Sequence, residues 1–174
     1  MPETKIYSLY LPVENYVTGT KTDASIGIFA SAPGYLEQRY IAYRNSPYQL
    51  EISKYSKWES SPDKMIKEAF KDSLSSSGLF KDVRVINITL SEFYLLEIKL
   101  KRFERLDEGN DSFGDLAFDV ELFSPDGSQQ YHDSISKKVK LDDRSFMSLA
   151  KGLSNALNES IKEVTNSLVG HIKQ

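Results

Sequence analysis

Three consecutive segments of this chain alternate apolar and polar side chains residue by residue, and then the period changes. In FYLLEIKLKRFE, Tyr94, Leu96, Ile98 and Leu100 alternate with Glu97, Lys99 and Lys101. In DLAFDVELF, Leu116, Phe118, Val120 and Leu122 alternate with Asp119 and Glu121. A turn signal, SPDGS over 124–128, follows, and the next segment puts Tyr131, Asp133, Ile135, Lys137 and Val139 on one side. Side chains alternate across a strand, so period two predicts three strands, each with one buried face. In series they make an antiparallel meander with one wet face. From Asp142 the spacing becomes three and four. Phe146, Leu149, Ala150, Leu153, Ala156, Leu157, Ile161, Val164, Leu168 and Ile172 form one stripe. The stripe predicts an amphipathic helix over about 143–172, roughly 45 Å long at the standard rise.

The first half repeats both patterns at shorter range. KIYSLY (Lys5 to Tyr10) alternates and predicts a strand, Leu11 to Asp23 is polar and turn-like, and ASIGIFA puts Ile26, Ile28 and Ala30 on one strand face. Ala32-Pro33-Gly34 punctuates the chain there. RYIAYR and YQLEISKY, split by Asn45-Ser46-Pro47, predict a hairpin. A helix follows: Ser61 can cap it, Pro62 suits the first helical position and Asp63 suits the positive end of the dipole. Its stripe is Ile66, Ala69, Phe70, Ser73 and Leu74, Gly78 is its stop, and VRVINI predicts another short strand. The expected fold class is α+β: an antiparallel or mixed sheet with two amphipathic helices packed on one face, as a single domain over 1–174. Leu96, Ile98, Phe118, Val120, Phe70, Leu153 and Leu157 are its expected core.

Composition excludes several chemistries. The chain has 174 residues and a net charge of −3, a balance that gives no reason to expect nucleic acid, which requires a concentrated basic surface. With no cysteine, it cannot use disulfides, thiolate catalysis or cysteine-ligated metals. Its apolar runs are too short to span a bilayer, and its N-terminus lacks the apolar stretch of a signal peptide. His132-Asp133-Ser134 holds the residue types of a hydrolytic triad, but neighbours on a strand point to opposite faces and cannot form a relay. His171 falls in the last turn of the long helix, where a cation suits the dipole. Asp107, Glu108, Asn110, Asp111 and Gly114 resemble a calcium loop in composition, but not in the order such a loop needs. Lys99, Lys101, Arg102 and Arg105 interleave with Glu97 and Glu104 and read as a solvated strand face. No catalytic residue, metal site or cofactor is expected.

Residues 34–62, GYLEQRYIAYRNSPYQLEISKYSKWESSP, combine many tyrosines with the one tryptophan of the chain. With their surroundings they carry a resemblance. Tyr7-Ser8-Leu9, then Ile26 and Ile28 leading to Pro33, Tyr35 and Leu36, then Ile41, Tyr43 and Arg44, then Trp58 and Pro62, then Leu79, Phe80 and Val83 follow in order. This order is similar to that of the ABC-type transport auxiliary lipoproteins of Gram-negative bacteria. Members of that family include the paraquat-inducible-type lipoproteins that accompany MCE-domain lipid transporters. The resemblance covers most of residues 5 to 90; the second half fits by its strands and long helix. It implies a non-enzymatic periplasmic component, tethered to the outer membrane by lipid, that docks an MCE-domain substrate-binding protein of an ABC permease and ATPase system and possesses the capacity to form a homo-oligomer. The alternative is a periplasmic carrier with a lipid in its own cavity. The acylated cysteine is absent here and is expected in the precursor a few residues before Lys5. Tyr35, Leu36, Arg44 and Trp58 occupy matched positions and are the candidate partner-binding residues, since tyrosine, tryptophan and arginine are enriched in binding hot spots.

Overall fold

A computed structural model describes residues 2–12 and 21–172; most of the loop expected over Leu11 to Asp23 lies outside the described residues. The long strand of the meander organises the molecule. This strand, β6 (Phe93–Glu108), follows β1 (Lys5–Tyr7), β2 (Ser25–Ser31), a 3₁₀ turn at Gly34–Leu36, β3 (Tyr40–Ser46), β4 (Gln49–Trp58), α1 (Pro62–Ser77) and β5 (Asp82–Val85). After it come β7 (Asp111–Phe123), β8 (Gln129–Lys140) and α2 (Phe146–Val169).

One edge of β6 pairs antiparallel with β7 along almost its whole length, and β8 continues beyond β7. The other edge is shared. Its first half takes β2 in parallel, with Ser25 opposite Phe93 and Ser31 opposite Lys99, and β5 lies outside β2. Its second half takes β3 in parallel, with Tyr43 opposite Arg105, followed outward by β4 and β1. The sheet is therefore mixed, with the antiparallel meander as one part of it. Both helices cover the same face, and their apolar stripes join the inward side chains of the strands in one core. The seven core residues expected from periodicity are all fully buried. No helix among the described residues is long and apolar enough to cross a membrane.

The helix ends are set locally. Ser61 stands at the N-cap of α1, but its hydroxyl makes no capping hydrogen bond; Pro62 has no N–H to satisfy, and the Ser61 carbonyl accepts from Met65 N at 2.9 Å. Gly78 ends the helix in the left-handed conformation at φ 69°, which costs glycine nothing. α2 is capped more fully. Ser145 Oγ accepts from Ser148 N at 3.1 Å, while Asp143 Oδ1 accepts from Ser145 N and Ser148 Oγ, each at 2.8 Å. These donors hold the Asp143 carboxyl at about 2, below its ordinary 3.8. A depressed folded-state value means that the carboxylate supports the fold above the ordinary value, and that this support is lost as pH falls through the folded one. In urea titrations, the stability gap between the wild type and Asp143→Asn should therefore close as pH falls from about 4 towards 2.

β6 contains the feature that positions the candidate site. Tyr94, Leu96, Ile98 and Leu100 face inward, and a bulge then falls between Leu100 and Arg102. A bulge re-aims the following side chains. Beyond it, Phe103, Arg105 and Asp107 point toward the helices, and Glu104 points to the opposite face although it is almost fully buried.

Candidate functional site

The helix-free face of the sheet has two zones. Across β6 and β7 it is an ionic ladder: Lys99 pairs with Glu121 at 3.5 Å, Lys101 with Asp119 at 2.9 Å and Arg102 with Asp115 at 2.9 Å. This is the solvated strand face expected from the sequence, with two exceptions, Arg105 and Glu104, both of which are buried. Arg105 is turned inward by the bulge and is buried. Its Nε and Nη2 donate to the two oxygens of Asp107 at 3.0 and 2.9 Å, and its guanidinium lies 4.7 Å from the Tyr43 ring and 5.0 Å from the Phe146 ring. Ser112 Oγ donates to Asp107, and Arg144 Nε donates to Ser112 Oγ, so this network ties the start of α2 to the sheet.

At the border of the ladder, where β3 meets β6, Glu104 lies beneath Tyr35 and Arg44. Arg44 Nε donates to Glu104 Oε2 at 2.8 Å, and the Tyr35 hydroxyl donates to Glu104 Oε1 at 3.3 Å. The Glu104 side chain is 1% exposed and the Arg44 side chain 27%. Burial raises the Glu104 carboxyl above its ordinary 4.5, against the opposing charge of Arg44. Burial, followed by the charge of Glu104, likewise raises the Tyr35 hydroxyl.

The four residues picked from the sequence separate here. Tyr35 and Arg44 come together over Glu104 and keep a solvent-facing side. Leu36 and Trp58 are each 1% exposed; Leu36 joins the core and Trp58 packs edge-on against Phe103 at 5.3 Å. Their apolar area is already buried within the domain, which corrects the expectation that they offer a contact surface. The guanidinium of Arg44, a candidate for partner contact, is held by a carboxylate of its own chain. Glu104 was not legible as a site residue, because it sits among the alternating charges. Its signal is the break of parity at Phe103, where an apolar residue falls on the polar phase.

The remaining chemical groups are dispersed. His132 is exposed on β8, and Ser134 Oγ donates to Asp119 rather than to a relay. The His171 ring lies 5.3 Å from that of Tyr131. The acidic turn between β6 and β7 divides its side chains: Asp107 goes inward to Arg105, while Glu108 and Asp111 pair with Lys138 and Lys140. Among the described residues no three carboxylates or histidines converge as metal ligands do. A groove of about 510 Å³ runs between α1 and the segment Leu9–Pro12, with Leu9, Leu11, Met65 and Ala69 among its apolar lining and Glu59, Glu68 and Asp72 among its acidic lining.

The family model described as ABC-type transport auxiliary lipoprotein component matches residues 7–165. No curated protein matches the chain. Among solved structures, protein XCC0632 from Xanthomonas campestris is similar at a TM-score of 0.85 and 16% identity, covering 95% of each chain. An uncharacterised protein is similar at a TM-score of 0.74 and 17% identity, covering 95% of this chain and 99% of its own. The PelC dodecamer from Paraburkholderia phytofirmans follows at a TM-score of 0.51 and 15% identity, covering 93% of this chain and 94% of its own. At these identities the likeness to solved structures shows a shared fold.

Proposed function

Because the chain belongs to the family of ABC-type transport auxiliary lipoprotein components, we propose that it is a non-enzymatic periplasmic subunit, held at the outer membrane by lipid, that docks the MCE-type substrate-binding protein of a lipid or solvent transport system. The match over residues 7–165 carries this reading, because it spans both the aromatic stretch and the long helix. The docking surface proposed is the Tyr35–Arg44 rim. It combines an aromatic ring and a guanidinium over a buried carboxylate, next to a ladder whose charges are already paired.

The test is binding of the purified chain to an MCE-domain protein encoded beside it. Arg44→Lys keeps a cation over Glu104 and loses the planar fork. It should weaken binding by about 2 kcal/mol, the threshold of a hot spot, with little change in thermal stability. Wild-type chain that shows no affinity for the MCE-domain protein overturns the docking role. The lipid tether has its own check: mass spectrometry of the protein from native membranes should find a diacylated cysteine ahead of Lys5. By analogy with the PelC dodecamer, a homo-oligomer is part of the same reading, and native mass spectrometry tests it.

The groove beside α1 favours a second reading, a lipid held by the chain itself. Its volume is in the range of ligand sites. The space between sheet and helices, where a carrier could enclose a lipid, is filled by the core. Lipid extraction and mass spectrometry of the purified chain separate the two readings: a stoichiometric lipid supports the carrier, and its absence supports the docking subunit.

A further inference from the structure

Five of the nine large apolar side chains left exposed among the described residues, Ile6, Tyr40, Tyr48, Ile52 and Tyr55, lie on one set of neighbouring strands and their turn, β1, β4 and β3. Ile6 and Tyr40 both register with Lys57, one from each side. Cross-strand partners share a face, so these three make one rung, apolar–cation–apolar. Tyr7, the next residue after Ile6, packs on Phe146 under the sheet. Ile6 therefore points away from the helices, and the rung lies on the helix-free side. Ile6 is 57% exposed and Tyr40 40%, and none of the five residues lines the groove beside α1.

We infer that this edge of the sheet is a seat for an anionic lipid surface. Three observations point to lipid rather than to a protein. The centre of the rung is a lysine, and lysine is depleted at the dry centre of protein interfaces. At a bilayer surface the same arrangement is favourable, because the lysine stem lies along apolar groups while its ammonium reaches the headgroups. Three of the five exposed apolar residues are tyrosines, and tyrosine, apolar in body and polar at its tip, suits the boundary between lipid and water. Charge agrees: β4, the strand at the centre of the rung, carries Lys54 and Lys57 against Glu51 alone, in a chain of net charge −3. The family is one of lipoproteins, which work beside a bilayer, and β1 is the first strand of the chain. A second contact beside a lipid anchor would fix how the domain is turned toward the bilayer, which an anchor on a chain end leaves open. This seat is distinct from the Tyr35–Arg44 rim and stands or falls without it.

Co-sedimentation of the full, unacylated chain with vesicles of phosphatidylethanolamine and phosphatidylglycerol tests the inference, with pure phosphatidylcholine vesicles for comparison. The chain should pellet with the anionic vesicles, less so as salt is raised. Lys57→Gln should weaken this about five-fold, the contribution of one lysine at an anionic surface. The double change Ile6→Ser and Tyr40→Ser should abolish it with the far-ultraviolet dichroism unchanged, while Ile88→Ser, at an exposed residue elsewhere, should leave it intact. The inference is overturned by wild type that does not pellet, by Lys57→Gln and the double variant pelleting like wild type, or by Ile88→Ser losing as much. A wild-type oligomer that the double variant converts to monomers, without vesicle binding, would assign the edge to copies of the chain and overturn it as well.

Discussion

Truncating Leu153 to alanine is expected to destabilise the domain by about 2–5 kcal/mol, the range for deleting a buried leucine side chain. Leu153 is fully buried on α2, and its Cδ2 lies 3.4 Å from where a side chain on Gly114 of β7 would begin. The glycine lets the leucine seat directly on the sheet backbone. A backbone ladder cannot move in to fill the space that alanine would leave, so the cavity persists and the loss should fall in the upper half of the range. The neighbouring Gly152 works the same way: a methyl group there would start 2.5 Å from Leu141 Cδ2, so the helix and the end of β8 are already at closest approach. Urea denaturation of Leu153→Ala against wild type measures the effect. A loss below about 0.5 kcal/mol would show that the long helix is not packed on the meander in this way.

The second large effect concerns Arg44. Replacing it with alanine leaves Glu104 buried with only the Tyr35 hydroxyl beside it. Removing one member of a buried pair costs about 3–5 kcal/mol, because the remaining charge stays desolvated. Arg44 is partly exposed and Tyr35 keeps its hydrogen bond, so a loss near about 3 kcal/mol is expected. Glu104→Gln should cost clearly less, since the arginine left behind can turn to water. The asymmetry separates burial of the carboxylate from simple loss of an ion pair, which would make the two variants equal. The dependence on pH has a definite sign. The folded-state value of Glu104 lies above the ordinary 4.5, so the folded state takes up the proton more readily than the unfolded one. Its contribution to stability therefore falls as pH rises from the ordinary value through the folded one. Without Arg44 the folded value rises further. The deficit of Arg44→Ala should be full above the folded value of the variant and shrink as pH falls through the raised folded values towards the ordinary 4.5. A deficit that is constant with pH would mean that the lost contact, not the orphaned charge, sets the cost.

These two residues also divide what could be read along the chain from what could not. Leu153 belongs to a stripe repeated over seven turns, and each of the meander strands repeats its alternation several times. Such patterns are legible because every residue in them answers to one local rule, a period set by the backbone. The same holds for the hairpin between β3 and β4, the left-handed stop at Gly78 and the turn over 124–128. The ordered signature from Tyr7 to Val83 carried the family, and the model match over residues 7–165 agrees with it.

Arg44, Glu104, Trp58 and Arg105 were not decided in that way. On composition, Arg44 and Trp58 are equally suited to a contact surface; in the fold one caps a buried carboxylate and the other is core. Arg105 and Glu104 sit in a run of alternating charges, and one extra residue in β6 sends the first inward and closes the second beneath a tyrosine and an arginine 60 or more positions away in sequence. Local period determined which faces are apolar, and with that the sheet, the helices and the core. Which charged and aromatic side chains are buried, paired or free depends on which strand lies beside which and on where the ladder slips by one residue. Those are contacts between distant parts of the chain, and only the assembled sheet, with β2 and β3 sharing one edge of β6, decided them.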